Sequence, residues 1–191
     1  PPRQSSILDH LRRWGPLIAL VLLMVLVFAM GWHKYISFET IGTNYQVLKD
    51  FIDSNFAVAI LIYMLIYVAM VALSLPGGLV LTVTGGLLFG WLAGAIGTVI
   101  GATIGATIIF LIAKSSLGEA LADKAGAWLS KLREGFKENA LSYLLFLRLV
   151  PAFPFWLVNL APALLGVPLR TYVLGTAIGI IPGTLAFSVA C

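Results

Sequence analysis

The chain has 191 residues, of which 60% are hydrophobic and only 10% charged, with a formal net charge of +4 and a mean hydropathy of +1.02. Soluble domains carry roughly 25% charged residues, so a water-soluble globular fold is excluded. The basic residues flank apolar segments, where they act as topology signals, and no nucleic-acid partner is expected.

Arg3, Arg12 and Arg13 precede a charge-free run from Trp14 to His33, which predicts a spanning helix with tryptophan at both ends. It reads as a retained anchor, because no small-x-small cleavage pattern follows it. Lys34 to Asn55 is polar, and Ile41, Tyr45, Leu48 and Ile52 recur at helical spacing within it, as in a helix lying along the membrane surface.

From Phe56 through Ala113 there is no Asp, Glu, Lys or Arg. A helix rises about 1.5 Å per residue and the hydrocarbon core is roughly 30 Å thick, so this stretch is too long for one crossing. Phe56 to Leu73 predicts one helix, stopped by Ser74-Leu75-Pro76-Gly77-Gly78. A short piece then runs to Gly90, and Trp91 to Ala113 predicts a full span carrying Gly97, Gly101 and Gly105. Lys114 to Asn139 is charged and amphipathic, with Leu117, Leu121, Ala125, Trp128, Leu132 and Phe136 on one face. Ala140 to Leu169 is apolar with one charge, Arg148, and is expected to be broken by Pro151, Pro154 and Pro162. Thr171 to Cys191 predicts a last span with Gly175, Gly179, Pro182 and Gly183. The chain is expected to come from a longer parent, since it opens on Pro1 and ends within an apolar run.

The two halves resemble each other. Pro76 precedes a piece ending Leu87-Leu88-Phe89-Gly90, and Pro151 one ending Leu164-Leu165-Gly166. Gly97-Thr98, Gly101 and Gly105 match Gly175-Thr176, Gly179 and Gly183 at constant offset. Paired interrupted segments of this kind mark discontinuous helices at a transport site. The expected fold is therefore an all-α integral membrane protein: spanning helices, two facing re-entrant hairpins broken by proline and glycine as an inverted repeat, and amphipathic surface helices. Residues 1–55 form an anchor and surface helix. Residues 56–191 form the membrane domain, with repeats at 56–113 and 140–191 and a linker at 114–139. With a cytoplasmic N-terminus, nine basic residues including Lys114, Arg133 and Arg170 fall inside, and only Lys34 and Lys49 fall outside.

The candidate binding residue is Arg148. A lone arginine in a lipid-facing helix costs about 2.5–3.5 kcal/mol on insertion scales, and intramembrane charges are usually functional. The alternative is a side chain snorkelling to the interface, since Arg148 lies roughly 12 Å of helix into its run. No acid lies in the same segment, so its planar donor fork is free for an anion such as phosphate. Asn159 is the second candidate, either capping freed backbone groups or contacting ligand. Pro76, Gly77, Gly78, Pro151 and Pro154 read as the hairpin breaks. Gly101, Gly105, Gly179 and Pro182 read as helix-packing positions. No metal site, cofactor or nucleophile–base set is readable, and no enzymatic role is expected.

Leu75-Pro76-Gly77-Gly78, Gly85-Gly86-Leu87-Leu88-Phe89-Gly90, Gly101 with Gly105, Leu147-Arg148-Leu149-Val150-Pro151, Pro154, Asn159 and Gly179-Ile180-Ile181-Pro182-Gly183 together resemble the SNARE-associated Golgi protein family. That family carries the VTT domain and belongs to the DedA superfamily. The resemblance covers roughly Phe56 to the C-terminus. It implies facing re-entrant hairpins, and scrambling of phospholipids or flipping of polyprenyl-phosphate carriers, proton-dependent in some bacterial members. The chain departs from DedA-type relatives in two places: its first hairpin has no carboxylate, and Pro154 stands where they carry a second arginine. Proton coupling would then have to draw on Glu39, Asp50 or Asp53.

The expected function is lipid translocation with the head-group phosphate on Arg148. The alternatives are a secondary transporter of a small anion or ion, and a non-transporting scaffold. The expected partners are membrane lipids and a possible second copy of the chain, and the expected location is a bacterial inner membrane.

Overall fold

Proline and glycine decide where the helices stop. In the computed structural model, residues 7–116, 126–150 and 155–190 are described, and every element among them is helical. Helix α1 spans Ile7–Ala29 and is followed by a 3-10 turn at Trp32–Tyr35, then α2 (Phe38–Thr43) and α3 (Tyr45–Ser54). The membrane domain continues with α4 (Phe56–Ala72), α5 (Gly78–Phe89), α6 (Trp91–Ser116), α7 (Gly126–Leu149), α8 (Phe155–Leu164) and α9 (Leu169–Val189). Helices α1, α6 and α9 are long and apolar enough to cross a membrane. The first starts before the charge-free run expected of it and takes in Arg12 and Arg13. The polar stretch after it is three short helical pieces rather than one.

The break between α4 and α5 falls where expected. Pro76 has no N–H to continue the helix and holds Leu75 out of the helical region. Ser74 at φ 52° and Gly77 at φ 122° turn the chain. Helix α4 has 17 residues and α5 has 12, about 25 Å and 18 Å of rise, so neither alone clears the hydrocarbon core. In the second half α7 ends at Leu149 and α8 begins at Phe155. Pro151 and Pro154, the expected breaks there, lie outside the described residues, as do the side chains that were to form most of the amphipathic face at 117–132. Pro162 does not break its helix: α8 runs on to Leu164, and Gly166 turns the chain at φ 76°. A proline one turn from a helix end removes a single N–H where few intrahelical bonds are left to lose.

Helix α6 is the centre, packed by α4 and α5 from its own half and by α9 and α8 from the other. Apolar burial drives little association in lipid, so helices are held by close packing and polar contacts. Glycine permits that packing. A Cβ on Gly105 would sit 2.7 Å from the Val68 carbonyl oxygen, and one on Gly101 3.0 Å from Tyr67 Cβ. On α9, a Cβ on Gly175 would meet Leu144 Cδ2 at 2.5 Å, and one on Gly179 would meet Arg148 Cβ at 2.9 Å. Pro182 and Gly183 depart from the expected packing stripe. Both are exposed, and a Cβ on Gly183 would meet nothing within 4 Å. The stripe ends there because α7, which it packs against, ends at Leu149.

Several positions of the two halves match in local geometry, and the matches begin upstream of residue 56. Asn55 (φ −141°, ψ 51°) joins α3 to α4, and Asn139 (φ −140°, ψ 42°) makes the same joint inside α7. Ile52 and Phe136, each three residues before its asparagine, are both buried. Tyr67 packs on Gly101 as Arg148 packs on Gly179.

Candidate functional site

Arg148 stands on the last turn of α7, partly buried, and its guanidinium points at the other elements of its half. Nη1 donates to Asn159 Oδ1 of α8 at 2.8 Å. Nη2 donates to the Tyr172 hydroxyl at 3.1 Å and to Thr176 Oγ1 at 3.0 Å, both on α9. The guanidinium carbon also lies 5.6 Å from the Tyr172 ring centroid. The three acceptors are close to fully buried, and all are neutral. The guanidinium is therefore oriented by the protein without being neutralised by it. A buried charge without a counter-charge is expensive.

Tyr172 is the keystone of this cluster. Its ring stacks on Phe110 of α6 with centroids 4.2 Å apart. Its hydroxyl accepts from Arg148 and donates to the Ala106 carbonyl of α6 at 3.2 Å. The arginine is thus tied through one side chain to the central helix of the opposite half. Asn159 receives the guanidinium through its carbonyl and caps no backbone group among the described residues. Arg148 Nε and Asn159 Nδ2 are buried N–H donors with no hydrogen-bond partner among the described residues.

A cavity of about 420 Å³ lies beside the arginine. One wall is the break between α4 and α5, contributing Leu75, Pro76, Gly77 and Gly78. The other is Arg148, Leu149 and Phe155 with Gly179, Gly183 and Thr184 of α9. Three of the residues singled out as breaks, Pro76, Gly77 and Gly78, thus line the same space as Arg148. Arg148 is the only charged side chain among the described residues that line it. Tyr67, Thr82, Thr98 and Thr184 are the hydroxyl-bearing residues of a wall that is otherwise largely apolar. No carboxylate among the described residues lines it: Glu39, Asp50 and Asp53 are exposed, and Asp53 pairs with Lys49 at 3.2 Å.

The sequence reading picked Arg148 and Asn159 and missed Tyr172, Thr176 and Tyr67. A signal existed for the first two. Tyr172, Thr176 and Gly179 fall on one helical stripe of an otherwise apolar span, the pattern of a face turned to a polar neighbour. Tyr67 had none, because its role depends on where the other half lies.

The VTT domain family profile matches residues 75–191. Among curated proteins, Transmembrane protein 41 homolog of Dictyostelium discoideum is 34% identical over 78% of this chain and 45% of its own length. The Caenorhabditis elegans homolog of the same name is 30% identical over 74% of this chain and 59% of its own. Human Transmembrane protein 41B is 24% identical over 72% and 48%. The chain therefore spans about half the length of the curated relatives it matches. No solved structure matches it.

Proposed function

The chain belongs to the VTT-domain family of integral membrane proteins, and on that footing we propose that it moves phospholipids between bilayer leaflets, with Arg148 engaging the head-group phosphate. One observation carries the reading: a guanidinium inside an apolar wall, held by three neutral acceptors, with an open cavity beside it. A planar, always-charged fork with N–H groups left over suits phosphate. The apolar lining suits the glycerol and ester region that follows a head group. The breaks at Ser74–Gly77 and between Leu149 and Phe155 are assigned to hairpins entering from opposite leaflets, so that each shields the other's irregular backbone. No bond is made or broken in this scheme, and the partner is the lipid itself.

The surrounding bilayer is proposed from charge, with the N-terminus on the cytoplasmic side. The bacterial inner membrane expected at the outset draws no support from the relatives above, all of which are eukaryotic.

The test is reconstitution in liposomes carrying fluorescent phospholipid, with bleaching of the outer leaflet. Wild-type protein is expected to empty the inner leaflet, and Arg148→Gln to do so at least about tenfold more slowly, as befits loss of one charge-assisted contact. Equal rates would defeat the assignment. Uptake of a water-soluble anion without lipid movement would replace it with the transporter reading.

A further inference from the structure

The two short helices are held in different ways. Helix α5 meets its neighbours backbone to backbone. A Cβ on Gly94 of α6 would sit 2.7 Å from the Gly86 nitrogen, and one on Gly86 would sit 2.9 Å from Ser188 Cα of α9. At the break before α5, a Cβ on Gly77 would meet Met70 Cε at 3.2 Å and Ile36 Cγ2 at 3.7 Å. Tyr63 donates to the Leu81 carbonyl at 2.9 Å, and Tyr67 shares a hydrogen bond with Thr82 at 2.9 Å. Backbone contact of this kind is permitted by glycine and does not hang on any one side chain.

Helix α8 contains no glycine. Among the described elements it packs chiefly on α6 and α7, whereas α5 has α2, α3, α4, α6 and α9 around it. Its strongest polar ties come from two side chains of one helix. Arg148 donates to Asn159 Oδ1 at 2.8 Å, and Arg133 donates to the Leu164 carbonyl at 3.3 Å. The Tyr172 hydroxyl lies 3.4 Å from the same Asn159 oxygen but is engaged by the Ala106 carbonyl at 3.2 Å. Asn159 is fully buried, and its Nδ2 has no partner among the described residues. The guanidinium is therefore what orients it.

We infer that α8 is the moving part of the membrane domain, that α5 is its fixed counterpart, and that the bond from Arg148 to Asn159 is the latch. Glycine contacts along a helix must separate together, while a side-chain bond can be exchanged for another acceptor. An acceptor that takes Nη1 from Asn159 frees α8, so occupancy of Arg148 becomes movement of a helix. The inference goes beyond the translocation reading and does not require the ligand to be a lipid.

The test is hydrogen exchange of the full chain in detergent, read on the hydrogen-bonded amides of α5 and α8. In wild-type protein the α8 amides are expected to exchange at least about tenfold faster than those of α5. Equal rates, or a faster α5, would overturn the inference without any variant. Asn159→Leu is expected to speed α8 by about a further tenfold, in line with loss of one charge-assisted contact, and to leave α5 unchanged. Equal acceleration of both helices would mean general loosening and would defeat the latch. Asn159→Asp adds a charge to the same bond and is expected to slow α8 by a similar factor. An α8 that exchanges as in wild type would also defeat it. Thr82→Val removes the corresponding bond from α5, which its backbone contacts should hold, so its exchange is expected to change less than about twofold. If α5 speeds up as much as α8 does in Asn159→Leu, the two short helices are alike and the asymmetry is lost.

Discussion

Lys49 and Arg133 perform the same act in the two halves. Lys49 of α3 donates to the Leu88 carbonyl in the last turn of α5, at 3.3 Å. Arg133 of α7 donates to the Leu164 carbonyl in the last turn of α8, also at 3.3 Å. Each cation stands six residues before the asparagine joint of its half, and each short helix ends with a cation on its negative pole. The amphipathic segments thus make matching contacts in the two halves, each on the end of a short helix that borders the cavity.

Removing either cation should loosen one short helix. Lys49→Met and Arg133→Met are each expected to cost about 0.5–1 kcal/mol. The double variant should lose the sum, since the two contacts share no partner. Thermal unfolding in detergent reads this, and melting temperatures identical to wild type would remove the capping role.

Asn159→Asp separates stability from function. The new carboxylate would sit where Asn159 Oδ1 now lies 2.8 Å from Arg148 Nη1 and would neutralise the guanidinium. Thermal stability is expected to hold or rise, while lipid translocation falls at least about tenfold. A variant that translocates at full speed would show that the charge of Arg148 is not what the ligand needs.

Tyr172→Phe keeps the stack on Phe110 but loses the hydroxyl shared by Arg148 and the Ala106 carbonyl. A loss of about 1–3 kcal/mol is expected from the buried partners left behind. Combined with Arg148→Gln, the effects on translocation should fall short of additive, because both act on one network. Strict additivity in the double-mutant cycle would place Tyr172 outside the site.

The glycine stripe gives a paired comparison. Gly105→Ala pushes a methyl to 2.7 Å from the Val68 carbonyl oxygen and is expected to cost about 1–3 kcal/mol. Gly183→Ala meets nothing within 4 Å and should stay within about 0.5 kcal/mol of wild type. Similar melting temperatures for the two would mean that α4 and α6 can separate at little cost.

Much of this molecule was legible because a few residue types are rare in apolar segments. One arginine in a charge-free run marks itself, and the Pro76-Gly77-Gly78 stop admits no continuous helix. The repeat in the glycines was visible for the same reason. Its extension to the surface helices was not. Lys49 pairs with Arg133 and Ile52 with Phe136, matches of role rather than residue, and basic residues beside a span first read as topology signals. Tyr67 and Tyr172 escaped notice because a tyrosine in a membrane helix is ordinary until its neighbours are known. Pro162 misled in the other direction, since the cost of a helical proline depends on how close the helix end lies.

Among the described residues Arg148 is held by neutral oxygens alone, and this affects what else can enter the same hole. The positive charge of Arg148 is expected to disfavour sodium, potassium and protons beside it, as fixed arginines do in pores that admit water but exclude cations. Vesicles bearing the protein should mix their lipids and still hold a potassium gradient, whereas Arg148→Gln would remove the electrostatic barrier and let the gradient decay faster.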